Sequence, residues 1–212
     1  MLVKFVEQSY LNELNAKQDP PILAKLRQYA TEKQIPIIQE DGMHFLVQLL
    51  IASNAKRVLE LGSAIGYFAI AAALLAKVQV VSLEIDPIIT EIANRNVADA
   101  GLLEQVEIVN TDALIFDSDT LGKFDLLFID AAKAQYQKYF EKYEHTVNTG
   151  GIIVSDNLLF RGQVERPETI ISRNRKQLVN KIKKYNSWLK DNHEFLTYFY
   201  EIGDGIAISI KL

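Results

Sequence analysis

Arg57-Val58-Leu59-Glu60-Leu61-Gly62-Ser63-Ala64-Ile65-Gly66-Tyr67-Phe68-Ala69-Ile70 begins as a β-rich apolar run, breaks at a glycine turn and re-emerges as an alanine-rich helical segment. The order is strand, tight loop, helix. In an α/β sheet such a junction sets a loop without bulky side chains, and a helix N-terminus, at the carboxyl edge of a central strand, where ligands bind. A turn in which Gly62 and Gly66 are purely structural is the plain alternative. The dinucleotide fingerprint G-x-G-x-x-G needs a third glycine and another spacing, so a nicotinamide dehydrogenase is not the first reading.

Outward from this junction, Val78-Gln79-Val80-Val81-Ser82-Leu83-Glu84 reads as a buried strand ending in an acid, and Pro87 opens a helix through Ala100 that Gly101 stops. Val106-Glu107-Ile108-Val109 is the next strand and ends at Asn110-Thr111-Asp112-Ala113. Phe124 to Asp130 and Gly151 to Asp156 are further apolar strands, each ending in aspartate, with a helix from about Gln135 to Val147 between them. On the N-terminal side, residues 2 to 14 and 20 to 33 read as helices separated by Asp19-Pro20-Pro21, with Leu2, Phe5, Val6, Tyr10 and Leu14 as an apolar stripe on the first. Extended Ile35-Pro36-Ile37-Ile38 and a helix from about Asp41 to Ala52 lead into the first strand. On the C-terminal side, a helix from about Glu168 to Lys190 precedes a hairpin of Phe195 to Ile202 and Ile206 to Ile210 across Gly203-Asp204-Gly205. The alternation predicts an α/β fold in one domain over residues 1–212, with a mainly parallel sheet covered on both faces and finished by an antiparallel hairpin.

The 212 residues are 49% hydrophobic and 24% charged, the balance of a chain with a sizeable core. With no cysteine, disulfides and thiolate metal sites are excluded. No apolar run reaches membrane-spanning length, and Glu7 and Glu13 interrupt any signal-peptide pattern, so the expectation is a cytoplasmic protein without a membrane partner. Charge is unevenly spread. From Arg161 to Lys190 nine basic residues face two acidic ones, a surplus of seven, which leaves −11 on the rest of a chain whose net charge is −4. That asymmetry points to an anionic partner at one face.

Val58-Leu59-Glu60-Leu61-Gly62-Ser63-Ala64-Ile65-Gly66-Tyr67 resembles the first motif of class I S-adenosylmethionine-dependent methyltransferases, specifically the catechol and caffeoyl-CoA O-methyltransferase group. The resemblance implies a Rossmann-like, seven-stranded fold with S-adenosylmethionine as cofactor. It also implies a homodimer, with the N-terminal helices (about 1–34) as cap or dimer contact; an amphipathic helix packed on its own domain is the alternative. Glu84, at the end of the strand after the glycine loop, can accept hydrogen bonds from both ribose hydroxyls, as the matching acid does in the family. Asp112 with Ala113 would flank the adenine on the same pattern. Their structural alternatives are an exposed strand-end acid and an Asx turn. Gly62 and Ser63 would approach the methionine portion through backbone contacts. Many relatives have Gly-Tyr-Ser where this chain has Gly66-Tyr67-Phe68, so a hydroxyl for the methionine carboxylate is missing, and Tyr67 or backbone amides are its replacements.

The strongest chemical signal is Phe128-Ile129-Asp130-Ala131-Ala132-Lys133 together with Val154-Ser155-Asp156-Asn157. Both begin at strand ends, which converge on one edge when the strands are parallel neighbours. Asp130, Asp156 and Asn157 offer hard oxygen ligands suited to Mg²⁺ or a similar divalent cation. The combination matches the metal-binding and lysine motifs of the catechol-type enzymes, with Asp130 also near the cofactor. Methyl transfer from a sulfonium is an in-line displacement that needs a deprotonated, aligned oxygen nucleophile. A cation activates and orients the acceptor hydroxyl, and Lys133 beside it is the candidate general base.

For the acceptor, Asp156-Asn157-Leu158-Leu159-Phe160-Arg161-Gly162, Arg173-Asn174-Arg175 and Gly203-Asp204-Gly205-Ile206-Ala207 look like the bacterial branch that methylates 5-hydroxyuridine in the tRNA anticodon, giving 5-methoxyuridine. That base places a hydroxyl beside a carbonyl, a pair able to chelate Mg²⁺ as a catechol does, and anticodon loops present unstacked bases. On the predicted basic helix, Ile171, Leu178, Ile182, Tyr185 and Leu189 face inward, while Arg173, Lys176, Lys183 and Lys184 could contact phosphate, as could Arg161 after the metal motif. Arg175 falls near the apolar face as a structural anchor. Small catechol-like or caffeoyl-CoA-like acceptors are the alternative, in which the basic face is merely solvated, and a non-catalytic S-adenosylmethionine-binding module is a third reading.

Overall fold

The computed structural model describes residues 14–15 and 18–212. Helices α1 (Pro21–Lys33) and α2 (Glu40–Ala52) precede strand β1 (Arg57–Leu61) and α3 (Tyr67–Ala71), which widens into a π-helical turn at Ala72–Ala76. Then follow β2 (Gln79–Glu84), α4 (Pro87–Asp99), β3 (Val106–Asn110), β4 (Phe124–Ile129), α5 (Tyr136–Tyr143), β5 (Val147–Ser155), α6 (Arg173–Asp191), β6 (Phe195–Tyr200) and β7 (Ile206–Lys211). The seven strands form one sheet in the order β3-β2-β1-β4-β5-β7-β6. The first five are parallel, and β7 joins β5 antiparallel and pairs with β6 as the expected hairpin.

Alternation along the strands explains the layers. Val58, Val80, Leu126, Phe128 and Val154 face one side and pack with Leu26 of α1, Leu46 of α2, Ile70 of α3 and Val97 of α4. Leu59, Leu61, Leu127, Ile129 and Ile153 face the other and pack with Phe140 and Tyr143 of α5 and Tyr185 and Leu189 of α6. Both faces of the central strands are therefore apolar, as a covered parallel sheet requires. Helix α4 starts where its sequence says, because the Asp86 carboxylate accepts from the amides of Ile88 (2.8 Å) and Ile89 (3.1 Å) with Pro87 in the first turn.

Two expectations are corrected. The helix after β4 does run to Thr146, its last turn, Glu144–Thr146, being 3-10 with Thr146 Oγ1 donating to the Tyr143 carbonyl, and Val147 already belongs to β5. Strand β5 thus begins four residues before Gly151, and its register against β4 shifts between Phe124 and Leu126. The last helix begins at Arg173, not Glu168, with Ser172 Oγ as acceptor for the Arg175 amide, so Ile171 is solvent-exposed and Val179 takes an inward position instead. The expected first helix lies, except for Leu14, outside the described residues, and its stripe with it. Among the described residues no helix is long and apolar enough to cross a membrane.

Candidate active site

The strand order reverses beside β1, which has β2 on one side and β4 on the other. At such a point the following loops diverge and leave a crevice. Hydrogen bonds carry the ladder one step past the strands: Gly62 N donates to Leu83 O (2.8 Å), Thr111 N to Glu84 O (2.8 Å), Asp130 N to Leu61 O (3.0 Å) and Asp156 N to Ile129 O (3.3 Å). Residues far apart in the chain are thereby aligned along one edge. A cavity of about 660 Å³ opens there, with Gly62, Glu84, Asp112, Ala113, Asp130, Lys133 and Asn157 in its wall.

The wall from β1, β2 and β3 is held mainly through backbone. Gly62 has φ +95°, and a Cβ at that position would stand 2.5 Å from the Asp130 carbonyl oxygen, so the close approach of the two loops requires glycine. The Glu84 carboxylate accepts from the amides of Ala64 and Asp86, each at 3.0 Å, which fastens the glycine loop to the end of β2. Asn96 of α4 donates to Ile65 O at 2.9 Å. Asp112 does form the Asx turn, accepting from Leu114 N at 2.8 Å, yet it also lines the cavity beside Ala113. The structural and the binding reading of Asp112 are therefore compatible.

Ser63 and Tyr67 sit behind the glycine loop. Neither lines the main cavity; both border a small void beneath the glycine loop with Phe68 and Phe128. The Tyr67 hydroxyl accepts from Arg27 at 3.0 Å, and Arg27 in turn pairs with Asp19 at 2.6 Å. Phe68 is buried, with its ring 4.6 Å from that of Phe128. The substitution of Phe for a serine hydroxyl thus fills the sheet face behind the loop.

The wall from β4 and β5 carries the ionisable groups. Lys133 Nζ donates to Asn157 Oδ1 and lies 4.0 Å from Asp130 Oδ1. Asp156 is buried, accepts from the Asn157 amide at 2.6 Å, and has its backbone carbonyl held by the Tyr136 hydroxyl at 3.0 Å. Burial raises both aspartates above the ordinary carboxylate range; Lys133 opposes the rise, and the charge of Asp130 adds to it at Asp156. The buried Asp156 carboxyl, whose ionisation the charge of Asp130 disfavours, together with the half-buried Asp130 and an amide oxygen alongside, forms an all-oxygen donor set whose charge a divalent cation would balance. Asp130, Asp156 and Asn157 therefore fit such an ion. Among the described residues, a second acid and histidine group, Asp19, Glu40 and His44, has its ligand atoms within 4.8 Å of one another, but Arg27 already supplies its positive charge.

The segment between β5 and α6 closes the cavity on its far side. Leu158 N and Leu159 N donate to the carbonyls of Gly205 (2.9 Å) and Asp204 (2.8 Å), and a Cβ on Gly205 would come within 2.6 Å of Leu159. Arg161 lines this wall as expected, and so do Arg175, Gln163 and Asp204, which sequence reasoning missed. Arg175 is exposed rather than an anchor on the apolar face. Lys184 borders a shallower cavity of about 450 Å³ that also contains Lys133, Lys138 and Lys181. Arg173, Lys176 and Lys183 are exposed and line neither cavity. The only signal that could have flagged Asp204 is its place between two turn glycines, where an acid also suits a hairpin.

Comparison with known proteins agrees with this geometry. Residues 12–212 match the family described as O-methyltransferase. A catechol O-methyltransferase of Niastella koreensis is 34% identical over 163 residues, covering 73% of either chain. A candidate caffeoyl-CoA O-methyltransferase of Staphylococcus aureus superposes with a TM-score of 0.92 at 34% identity, over 97% of this chain and 99% of that one. An S-adenosylhomocysteine-bound methyltransferase of Podospora anserina shares the fold, with a TM-score of 0.84 at 20% identity over 100% and 99% of the two chains. With a glycine loop and strand-end acid on one wall and an oxygen-rich lysine site on the other, the chain belongs to the O-methyltransferase family that contains the catechol and caffeoyl-CoA enzymes.

Proposed function

We propose that the chain transfers a methyl group from S-adenosylmethionine to one hydroxyl of an acceptor carrying two vicinal oxygens on an unsaturated ring, as a catechol does. The observation that carries this reading is the meeting of Gly62, Glu84 and Asp112 with Asp130, Lys133 and Asn157 around one cavity. Glu84 and the amides of the glycine loop are suited to the cofactor's ribose and methionine parts, and S-adenosylhomocysteine is bound in the Podospora structure that shares this fold. Asp130, Asp156 and Asn157 would hold a divalent cation, which when bound lowers the pKa of a coordinated hydroxyl and fixes its direction. In the transfer the acceptor oxygen bonds to the methyl carbon as the carbon–sulfur bond breaks, and the hydroxyl proton is released. Lys133, which donates to Asn157 Oδ1 and lies 4.0 Å from Asp130 Oδ1, is the residue to which we assign receipt of that proton.

The tRNA reading stands second. The relatives named above support the small-molecule alternative, whereas the exposed cations on α6 are the observation that favours RNA. The deciding experiment measures transfer of labelled methyl to catechol and to tRNA containing 5-hydroxyuridine, each with Mg²⁺ and with EDTA. Metal-dependent labelling of catechol is the expected result. Labelling of the tRNA alone would replace the main reading with the second, and no transfer to either would remove both. A homodimer through the N-terminal helices remains part of the proposal, to be tested by light scattering.

A further inference from the structure

We propose that Arg27, which lines no part of the cavity, is a positioning residue for the cofactor: its guanidinium fastens residues 34–39 over the glycine loop and so sets the affinity for S-adenosylmethionine. The inference rests on the methyl-transfer reading of the site. Residues 34–39 join α1 to α2 without helix or strand. Pro36, Ile37 and Gln39 line the cavity beside Gly62 and Ala64, and Ile37 and Ile38 border the small void under the glycine loop. Among the described residues no hydrogen bond joins this segment to residues 62–66, so the polar tie between them lies elsewhere.

Arg27 supplies that tie. Its Nη1 donates to Asp19 Oδ2 at 2.6 Å and to the Tyr67 hydroxyl at 3.0 Å, and its Nη2 lies 3.4 Å from Glu40 Oε1. Glu40 opens α2 where the segment ends, and Tyr67 opens α3 immediately after Gly66. One group on α1 therefore holds the far end of the segment and the helix that follows the glycine loop. The Asp19 side chain is only 3% exposed, and its Oδ1 stands 2.9 Å from His44 Nε2 of α2, so the carboxylate that orients the guanidinium is itself fixed. A lysine can satisfy Asp19 as a point charge, but meeting acceptors on three separate elements takes the planar fork of arginine.

Leu23 and Leu26 of α1 are buried in one cluster with Ile38, Met43 and Tyr67, so the helix keeps its core packing without the guanidinium. What the guanidinium adds is order in residues 34–39. A wall segment that must be ordered when the cofactor arrives subtracts that cost from affinity, whereas one already fastened does not. The groups assigned to the transfer, Asp130, Lys133 and Asn157, share no hydrogen bond with Arg27 or Tyr67, so the effect falls on cofactor affinity and not on the chemical step.

The test compares wild type with Tyr67→Phe, Arg27→Met, Arg27→Lys and the double variant Arg27→Met/Tyr67→Phe. It measures calorimetric affinity for S-adenosylhomocysteine, urea unfolding, and kcat with KM for S-adenosylmethionine and for the acceptor that wild type methylates. Arg27→Met orphans a buried carboxylate; Tyr67→Phe removes one oxygen, leaves the pair with Asp19 in place, and carries the test should the other variant fail to fold. Tyr67→Phe should weaken S-adenosylhomocysteine binding by about threefold or more and Arg27→Met by roughly tenfold or more, with KM for S-adenosylmethionine rising in parallel while kcat and acceptor KM stay within about twofold. Arg27→Lys should fall between wild type and Arg27→Met. In the double variant the losses should not add, because both substitutions break the same tie. Unchanged affinity in folded variants, with only the urea midpoint lowered, overturns the assignment and leaves methyl transfer intact. Additive losses overturn it too, since they mean that Tyr67 meets the cofactor directly. Non-additive loss of affinity with no transfer to any acceptor upholds the positioning role and overturns the methyl-transfer reading, and a wild type that binds no S-adenosylhomocysteine overturns both.

Discussion

The two walls of the cavity are built by different means. The wall from β1 to β3 is largely backbone: Gly62 pressed on the Asp130 carbonyl, amides of Ala64 and Asp86 on Glu84, and an Asx turn at Asp112. The wall from β4 through α6 is side chain: Asp130, Lys133, Asn157, Arg161 and Arg175, with Asp156 buried behind it. A backbone wall suits a ligand that never changes, because amides and tight turns admit little variation. A side-chain wall can be re-specified by substitution without disturbing the sheet that supports it. The proposed function accordingly gives the cofactor to the first and the acceptor to the second.

The largest expected effect separates the walls. Lys133→Ala should lower kcat by about 10²–10⁴ while calorimetric affinity for S-adenosylhomocysteine stays within about twofold; a comparable loss of affinity would show that the two walls do not act independently. Next comes Glu60, buried in β1 beneath both walls, with Ser82 Oγ donating to it at 2.5 Å. Burial pushes its carboxyl from the usual 4.5 to about 8. Between those values the folded chain keeps a proton that the unfolded chain has released, so this group's contribution to stability is greatest below pH 4.5 and is lost as pH rises to about 8. Glu60→Gln should therefore be more stable than wild type at pH 8, by on the order of 3 kcal/mol, with the gap closing near pH 4.5. Urea unfolding of metal-free protein at the two pH values checks this, and a gap that widens toward acid would reverse the assignment.

Gly62→Ala attacks the point where the walls touch. The positive φ and the contact with the Asp130 carbonyl predict a loss of about 2 kcal/mol or more in folding stability, together with weaker binding of S-adenosylhomocysteine. Full retention of both would mean that the loops can separate. The smallest effect bounds the acceptor wall. Charge reversal at Lys183 and Lys184, exposed on α6, should alter catechol kcat/KM by less than about twofold, as is usual for surface changes. Loss of tRNA binding and methylation in that variant, steeper at low salt, would extend the acceptor wall along the helix.

Legibility in the sequence followed the same division. The junction at Gly62, the acid at Glu84 and the paired Asp130 and Asp156 were readable because strand ends in a parallel sheet share an edge, so local patterns predict their meeting. The sequence shows Tyr67 only as the neighbour of Gly66; that its hydroxyl accepts from Arg27, forty residues away in sequence, is a tertiary contact that no local pattern announces. Arg175 keeps the helical phase of Leu178 and Ile182, but the Ser172 cap puts it in the first turn of α6, where that face borders the cavity instead of the core.

What the chain's order of residues determined by itself was the alternation of strands and helices, the glycine turn, and the strand-end acids with their lysine. Each depends on period, turn chemistry or position along one element, and these are local properties. Only the tertiary structure decided which wall each group faces, that Asp204 anchors the Arg161 backbone, and that Arg161 and Arg175 line one cavity. Those facts depend on packing between β5, the β6–β7 turn and α6, where contacts distant in sequence choose among conformations that local preference leaves nearly equal in energy.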